Sequence, residues 1–329
     1  MSDALPQITI IVPTKPGQEN IPAVEAARRF DYPKEQLEIL VVRGRQPAVQ
    51  RNIALRAARG ELIYFLDDDA MAPPDNLRRG VLHFKDPAVQ MVGGPNLCPA
   101  SAPGIEQVFA VVLASWLAFG PSRARYDSVG ATRPSGEKEL ILCNMMARRD
   151  GLLELGGFDE ALYPNEENAL MDDLQGRGAT LLYDPAFIVH RRPRPTLKSF
   201  CKMLFTYGRG RAEQFRLHPT PGSVLNFVPP LFVAYLAALL VGAIIPWTGP
   251  AAVIARWSAW PLCLYLAIVV LQTVASIPRK GFLRSVLAMP LLVASHVFYG
   301  LGFWRGLTTK FKTPGVKPLA EVKLDSMPV

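Results

Sequence analysis

The pattern of hydrophobic and polar positions along the chain changes near residue 220. Upstream, short apolar runs alternate with segments in which apolar residues recur at helical spacing. Downstream, three much longer apolar runs follow one another. Strands that alternate with helices are typical of an α/β domain whose sheet is mostly parallel and covered on both faces. The sequence therefore predicts an α/β region followed by a region of a different kind.

The upstream region contains the elements of such a fold. Short runs rich in β-branched residues predict strands, and helical spacing between them predicts helices. The predicted strands are residues 8–13, 37–42, 62–66, 89–93 and 181–183, and the predicted helices are residues 20–30, 47–59, 74–84 and 105–119. This order of elements predicts a Rossmann-like sheet with helices on both faces.

The three downstream runs are long enough to cross a membrane. Residues 224–245 and 257–277 contain no formally charged side chain, and residues 286–304 contain only His296 and Tyr299 as ionisable groups. An uncharged apolar run of about 18 residues or more is typical of a membrane helix. The first two runs are predicted to span the membrane, and the third either spans it or lies as a re-entrant or interfacial segment.

Basic residues predict the orientation of these helices. Arg209, Arg211 and Arg216 precede the first run, and short segments rich in Lys and Arg usually stay in the cytosol. The α/β region is therefore predicted to be cytosolic, in a multi-pass protein of the plasma membrane or cell inner membrane. Basic residues such as Lys310 and Lys312 would lie on the opposite side if the third run spans, so the fate of that run stays open.

Composition and charge narrow the class of protein. Half of the residues are hydrophobic and 19% are charged, which excludes a disordered chain. The four cysteines are scattered and join no cluster of histidines, so neither a disulfide framework nor a zinc site is predicted. The net charge is +8, and residues 191–216 carry eight basic side chains against Glu213 alone.

Three interpretations of this basic stretch stay open. It anchors the cytosolic end of a membrane span, binds anionic lipid headgroups, or holds a diphosphate. Nucleic acid is not an expected partner, because the chain also carries apolar spans. The predicted division is a domain over residues 1–220 with a basic helix from about 196, a membrane region of two to three helices over 221–305, and a polar tail over 306–329.

An acidic triplet directly follows the predicted strand 62–66. In an extended chain alternate side chains share a face, so Asp67 and Asp69 should point one way and Asp68 the other. Ligands of open α/β sheets lie at the carboxyl ends of the strands, and Mg²⁺ and Mn²⁺ prefer carboxylate oxygens and substrate phosphates. The pattern predicts a metal–diphosphate site with Asp69 most directly on the metal and Asp67 on the metal or the ribose. The alternative is a solvated acidic turn.

A second acidic cluster opens a predicted helix. Asn165 is a candidate N-cap, and Glu166 and Glu167 lie in the first turn. Carboxylates are stabilised at this end of a helix by its dipole, which would explain the pair without any catalysis. The other interpretation is that one of the two carboxylates is a general base that takes a proton from a hydroxyl group.

Three segments together resemble the family 2 glycosyltransferases. They are the strand ITIIVPT at residues 8–14, Arg51 and Asn52 ahead of GELIYFLDDD at 60–69, and GGFDE at 156–160 followed by Glu166 and Glu167. The chain is most similar to membrane-anchored members that build bacterial polysaccharides of the succinoglycan type. The resemblance implies a GT-A fold, a nucleotide-diphosphate sugar donor, Mg²⁺ or Mn²⁺ held by the Asp-x-Asp motif, and inversion at the anomeric carbon.

The resemblance also assigns roles to individual positions. In the family the second acid of a Glu-Asp pair is the catalytic base, and Glu167 occupies that position with a longer side chain, so Glu166 stays a candidate. Asp159 is expected to orient the acceptor side, and His190 either closes the pocket or is structural. Metal ligands are expected at Asp69 and Asp67, and donor-binding residues at Pro13, Thr14, Arg43, Arg51, Asp67, Asp68, Arg209 and Arg211.

Two departures from the family pattern leave details open. Where many members carry acidic residues that hold the nucleobase, this chain has Arg43 and Arg45, which either meet a phosphate or are solvated. The chain has no QxxRW motif, and at the corresponding distance it has Tyr207-Gly208-Arg209-Gly210-Arg211. Arg209 or Arg211 is predicted to hold the diphosphate of the donor or of a lipid, and the missing Trp argues against a polymer-threading synthase.

Together these features predict an inverting, metal-dependent glycosyltransferase in cell-surface polysaccharide biosynthesis. It would move a sugar from a nucleotide-diphosphate donor to a polyprenyl-linked saccharide at the membrane. One alternative is transfer to polyprenyl phosphate itself, which gives a lipid-phosphate sugar. A second alternative, which is not an enzyme, is a membrane scaffold that binds nucleotide-sugars.

Overall fold

A computed structural model describes residues 5–160, 162, 165–217, 219, 221–310 and 322–329. The chain forms two compact units, each assembled from separate stretches. The first comprises residues 1–101, 121–192 and 311–329, and the second comprises residues 102–120 and 193–310.

The first unit is built on strands flanked by short helices. Its strands are β1 (Ile8–Thr14), β2 (Leu37–Arg43), β3 (Leu62–Leu66), β4 (Val89–Gly93), β5 (Asn96–Leu97), β6 (Arg133–Pro134), β7 (Asn144–Arg148), β8 (Thr180–Tyr183), β9 (Val189–His190) and β10 (Lys323–Met327). Its helices are α1 (Pro22–Ala27), α2 (Pro47–Ala57), α3 (Asn76–His83), α6 (Arg149–Glu154) and α7 (Glu166–Gly176), with 3-10 turns at Lys34–Gln36 and Gly120–Arg125.

Eight of these strands form one sheet in the order β10-β2-β1-β3-β7-β4-β8-β6, and β5 pairs with β9. The predicted α/β class is confirmed, but the sheet is mixed rather than mostly parallel. Neighbours β2–β1, β1–β3 and β4–β8 are parallel, and the other neighbours are antiparallel. Helical crossovers join β1, β2 and β3 and so impose a parallel direction, whereas β7 and β10 pair with strands remote in sequence and meet no such constraint.

The strands of the first unit carry a core on both faces. Successive side chains of a strand point to opposite faces, so Ile10 and Val12 join one cluster and Ile11 joins the other. β3 is buried at every position, as expected for a strand covered on both sides. The carboxyl ends of β1, β2 and β3 therefore emerge together at one edge of a well-packed sheet.

A strand near the end of the chain completes the edge next to β2. β10 pairs antiparallel with β2, with Lys323 opposite Arg43 and Met327 opposite Ile39. The predicted polar tail over 306–329 thus contains a strand, which its polar, unpatterned sequence does not signal. Residues 311–321 of that tail, including Lys312, lie outside the described residues.

The second unit is helical. It contains α4 (Gly104–Leu113), α5 (Trp116–Phe119), α8 (Leu197–Leu217), α9 (Val228–Ile244), α10 (Gly249–Trp257), α11 (Trp260–Lys280) and α12 (Phe282–Thr308), with a 3-10 turn at Pro221–Phe227. Among the described residues, three helices are long and apolar enough to cross a membrane, namely Ser223–Ile244, Ala255–Lys280 and Phe282–Thr308. They contain the second and third predicted apolar runs completely and the first except for its last residue, Ile245.

The predicted helix 105–119 differs from expectation in two ways. It breaks into α4 and α5, where the hydroxyl of Ser115 accepts a hydrogen bond from the amide of Ala118 and starts a new helix. The segments Gly104–Leu113 and Trp116–Arg125 meet at a bend of 59° and could form a broken span or a re-entrant loop. In addition, α4 belongs to the helical unit, where the ring of its Phe109 stacks on Phe200 of α8 at 4.3 Å.

Glycines bring α8 and α12 close together. A Cβ atom at Gly208 would collide with the carbonyl oxygen of Tyr299, and one at Gly302 would collide with that of Phe205. Small residues allow two helix backbones to approach in this way, as in membrane helix pairs. Gly208, in the segment predicted to hold a diphosphate, thus serves helix packing.

Candidate active site

The acidic triplet meets an arginine from a distant strand. The Oδ2 atom of Asp67 lies 2.9 Å from Nη1 of Arg191, and Oδ1 of Asp69 lies 2.5 Å from its Nε. Arg191 directly follows β9, and the backbone of His190 exchanges two hydrogen bonds of 2.8 Å with Met71. This pairing of segments fixes the guanidinium opposite the two carboxylates. Burial opposes the charge of Arg191, but Asp67 and Asp69 outweigh it and hold the pKa of Arg191 above its ordinary value.

The residues present fit a divalent cation. Asp67 and Asp69 direct oxygen atoms at one positively charged group, so the guanidinium of Arg191 stands where a metal ion would balance the same charge. Mg²⁺ is commonly held by one or two carboxylates, with substrate phosphates completing its shell. Asp67 and Asp69 would therefore be the protein ligands, and the described residues offer no cluster of three or more acidic, histidine or cysteine side chains for a metal.

Asp68 has different surroundings. Burial raises the pKa of Asp68, the charges of Asp67 and Asp69 add to the rise, and a hydrogen bond with Gln18 opposes it. The hydroxyl of Thr14, at the end of β1, donates to Oε1 of Gln18 at 2.9 Å. Asp68 and Thr14 thus meet around one glutamine in the loop after β1, at the edge where ligands of such sheets bind. Pro13, beside Thr14, lies on β1 opposite Val42.

Arg51 joins the two acidic clusters. It projects from α2, and its Nη1 atom lies 2.9 Å from Oε1 of Glu166 while its Nη2 lies 3.5 Å from Oδ1 of Asp67. Its side chain is only 7% exposed, and its guanidinium lies 5.9 Å from the centre of the Phe158 ring. Segments separated by more than a hundred residues are thereby held together by one buried cation.

The two glutamates at the start of α7 differ in environment. Glu166 is 3% exposed, and burial together with the charge of Glu167 raises the pKa of Glu166 to about 7 although Arg51 opposes the rise. Glu167 is partly exposed. Asn165 precedes the helix with φ 101°, but its side chain caps no backbone amide and accepts instead from Nδ2 of Asn168 at 2.8 Å. The expected side-chain cap is therefore absent at Asn165.

Asn52 holds the GGFDE segment in place. Its Oδ1 accepts a hydrogen bond of 2.8 Å from the amide of Phe158, and its Nδ2 donates to the carbonyl of the same residue at 2.8 Å. Gly157 has φ 87°, and a Cβ atom there would collide with Asn52. Asp159 follows on the surface, where it is exposed. In the sequence, Asn52 belongs to a motif of the resemblance but has no predicted role. The only indication of its importance there is its position beside Arg51.

The remaining predicted site residues have other contacts. Nε of Arg43 lies 2.8 Å from Oδ2 of Asp325, so Arg43 forms an ion pair with β10. Nδ1 of His190 is buried without a hydrogen-bond partner.

Arg209 and Arg211 lie on α8 of the helical unit, where Nε of Arg209 is 3.4 Å from Glu213 and Nη1 of Arg211 is 3.1 Å from Gln214. Arg191 was predicted only as part of the basic stretch.

Comparison with known proteins adds relatives to this geometry. The profile of glycosyl transferase family group 2 matches residues 62–272. The succinoglycan biosynthesis protein ExoA of Rhizobium meliloti is 31% identical over 196 residues, which cover 59% of this chain and 54% of that protein. A pre-mycofactocin glycosyltransferase of Mycobacterium tuberculosis is 28% identical over 188 residues, which cover 53% of this chain and 36% of that protein. The chain thus spans about half the length of these relatives or less.

A solved structure shares the fold. The mannosyltransferase PcManGT from Pyrobaculum calidifontis, solved in complex with GDP-Man and Mn²⁺, superimposes with a TM-score of 0.55 at 18% identity, covering 90% of this chain and 87% of that one. This likeness confirms the predicted GT-A fold.

Proposed function

The chain belongs to glycosyl transferase family group 2, and we propose that it is an inverting, metal-dependent glycosyltransferase acting on a lipid-linked saccharide at a membrane. Its donor would be a nucleotide-diphosphate sugar. The observation that carries this proposal is the convergence of Asp67 and Asp69 on one cationic group at the carboxyl end of β3, with Glu166 at the start of α7 linked to Asp67 through Arg51. Acidic residues can serve such a transfer in two ways: they can bind the metal ion, and they can act as the general base.

The donor is assigned to the edge where β1 and β3 end. Asp67 and Asp69 would hold Mg²⁺ or Mn²⁺, which when bound supplies positive charge next to the departing diphosphate. Thr14, Pro13 and Asp68 would line the nucleotide side of this site. A solved relative by fold was crystallised with GDP-Man and Mn²⁺, which supports a nucleotide-sugar and a divalent ion. The roles of Arg209 and Arg211 toward a diphosphate stay predictions.

Glu167 is the proposed general base. It would take the proton of an acceptor hydroxyl while the hydroxyl oxygen bonds to the anomeric carbon and the bond from that carbon to the diphosphate oxygen breaks. Attack opposite the leaving group inverts the anomeric configuration. Glu167 is favoured over Glu166 because it is partly exposed, whereas Glu166 is buried and its Oε1 is paired with Arg51. Asp159, exposed beside this segment, is assigned to the acceptor side.

The acceptor and location follow from the helical unit. Three helices that are long and apolar enough to cross a membrane would keep the enzyme where polyprenyl-linked saccharides lie. The relationship to a succinoglycan biosynthesis protein supports polysaccharide assembly. We assign the first unit, which holds the proposed active site, to the cytosolic side of the plasma membrane, because Arg209, Arg211 and Arg216 precede the first span.

Nucleotide binding tests this proposal. Calorimetry on the full chain in detergent, with UDP and GDP in turn and with or without Mn²⁺, should reveal one nucleotide whose binding needs the metal. Asp69→Ala should abolish that metal dependence, and Asp150→Ala, which removes an exposed carboxylate from α6, should leave it intact. Absence of binding by folded protein would reject the donor site, and a product with one sugar on a bare lipid phosphate would replace the proposed acceptor.

A further inference from the structure

The strand β10 brings a carboxylate to the edge of the sheet where the donor is assigned. Its register places Asp325 opposite Val41, and the Asp325 side chain reaches forward to Arg43 at the end of β2. The contact joins residues 282 positions apart in the chain. Among the described residues, Asp325 is the carboxylate that pairs with Arg43, so β10 supplies the charged partner of this arginine.

Arg43 contacts both Asp325 and the loop after β1. Its Nε donates to Oδ2 of Asp325 at 2.8 Å, and its Nη1 donates to the carbonyl oxygen of Gln18 at 2.5 Å. Hydrogen bonding by Arg43 is the main reason that the pKa of Asp325 lies below its ordinary value. One guanidinium thus fixes the end of β2, the strand β10 and the loop together.

Gln18 connects the loop to the end of β1. Its Oε1 accepts from the hydroxyl of Thr14 at 2.9 Å, and its Nε2 donates to the carbonyl oxygen of Asn20 within the loop at 3.3 Å. The loop residues 15–20 are otherwise exposed, so Gln18 is their main anchor. The network therefore runs from Asp325 through Arg43 and Gln18 to Thr14, across the carboxyl ends of β2 and β1.

We propose that Asp325 is a positioning residue of the donor site, which acts through Arg43 to hold the loop 15–20 in the shape that receives the nucleoside part of the donor. This inference rests on the proposed function, because it concerns the same donor site. Ligands of open α/β sheets bind at the carboxyl ends of the strands, and a loop that is already ordered costs less to bind than a mobile one. The strand β10 thereby supports a set of proposed donor-side residues, Pro13, Thr14 and Asp67 to Asp69, that come from the first 70 positions.

The test compares Asp325→Asn with Ser326→Ala, an exposed neighbour on the same strand whose side chain points to the opposite face. In the full chain in detergent, the Kd for whichever of UDP or GDP the wild type binds should rise about tenfold for Asp325→Asn, as expected for loss of a charged hydrogen bond. Ser326→Ala should bind like the wild type, and Asp325→Glu should recover part of the affinity.

Two further measurements separate positioning from a general loss of structure. Arg43→Gln should weaken binding by a similar factor, and the double variant with Asp325→Asn should be no weaker than either single variant, because both act through one path. Amide hydrogen exchange in residues 15–20 should accelerate in Asp325→Asn, while exchange in β3 and binding of Mn²⁺ alone should not change.

The outcomes distinguish this inference from the proposed function. Unchanged Kd and unchanged loop exchange in Asp325→Asn, with a wild type that binds nucleotide, would overturn the inference and leave the donor site standing. Strictly additive effects of Arg43→Gln and Asp325→Asn would also overturn it. A wild type that binds neither UDP nor GDP would overturn both.

Discussion

The two acidic clusters of the first unit look alike in the sequence but are arranged differently. Asp67 and Asp69 reach the same guanidinium, that of Arg191, and the Asp69 side chain remains 48% exposed. At the start of α7 the neighbouring carboxylates separate, since Glu166 is 3% exposed and paired with Arg51 whereas Glu167 is partly exposed. Asp67 and Asp69 can therefore bind a single cation together, whereas Glu166 is buried and Glu167 is accessible.

Backbone geometry explains this difference. The acidic triplet lies in a tight turn after β3, closed by a hydrogen bond of 3.0 Å from the amide of Ala70 to the carbonyl oxygen of Asp67. This turn brings the carboxylates of Asp67 and Asp69 to the same guanidinium. On a helix with 3.6 residues per turn, consecutive side chains point about 100° apart, so Glu166 and Glu167 cannot share one environment. Acidic residues that are neighbours in sequence therefore have a common role only where the local backbone turns them to a common side.

The largest expected effect is on catalysis. Glu167→Gln should lower kcat by about 10²–10⁴-fold, because a general base contributes that much, while donor affinity stays within about twofold. Release of nucleoside diphosphate in the presence of membrane lipid acceptor would give kcat, and calorimetry would give donor affinity. Glu154→Gln, an exposed glutamate of α6, is the matched control. A greater loss of kcat in Glu166→Gln than in Glu167→Gln would assign the base to Glu166.

The next effect is on stability and concerns the buried cation. Arg51→Met should destabilise the protein by about 3–5 kcal/mol at pH 8, because it leaves Glu166 buried without its partner. Arg78→Met, which breaks an exposed pair with Asp31, should cost less than about 1 kcal/mol. Thermal unfolding in detergent measures both. The double change Arg51→Met with Glu166→Leu should recover most of the loss, and failure to do so would mean that Arg51 stabilises mainly through contacts other than Glu166.

Local features of the fold were predictable, and contacts between distant segments were not. The continuous apolar run of β3 ends at Leu66, so its length and the position of the acidic triplet follow from the sequence. The strand β10 has a polar sequence and owes its place to pairing with β2, which no local pattern reports. The direction of β7 likewise depends on which strands it meets.

The same limit applies to the site. The sequence predicts a common direction for Asp67 and Asp69 from an extended chain, whereas in the structure a turn closed by the amide of Ala70 brings them together. Their partner Arg191 lies 122 residues from Asp69, and in the sequence it is one of many basic residues near the membrane region. Glu166 and Glu167 are the same residue type in the same helical turn, and what separates them is the contact of Glu166 with Arg51 and the packing of α7 into the core of the first unit. Burial and ion pairing, which decide the chemistry of a carboxylate, are properties of the whole fold.

The buried glutamate should also give stability a dependence on pH. The pKa of Glu166 is raised to about 7 in the folded state, above its value in the unfolded chain, so the folded state binds the extra proton between about pH 4.5 and 7. This contribution to the free energy of unfolding is present at low pH and is lost as pH rises through 7, on the order of 3 kcal/mol. Thermal unfolding from pH 5 to 8 should show this decline in the wild type and not in Glu166→Gln. Parallel pH curves for the two proteins would contradict the raised pKa.

The smallest effect concerns Arg191 and the carboxylates of Asp67 and Asp69. Because Asp67 and Asp69 pair with its guanidinium, a metal ion must compete with Arg191 for the same oxygen atoms. Arg191→Gln should therefore bind Mn²⁺ about tenfold more tightly in the absence of nucleotide, which corresponds to about 1.4 kcal/mol. The paramagnetic resonance signal of free Mn²⁺ measures this directly, and Asp69→Ala should abolish the binding in both backgrounds. Weaker binding in Arg191→Gln would mean that the arginine organises the carboxylates for the metal, in which case the pair depends on a partner as strongly as Glu166 depends on Arg51.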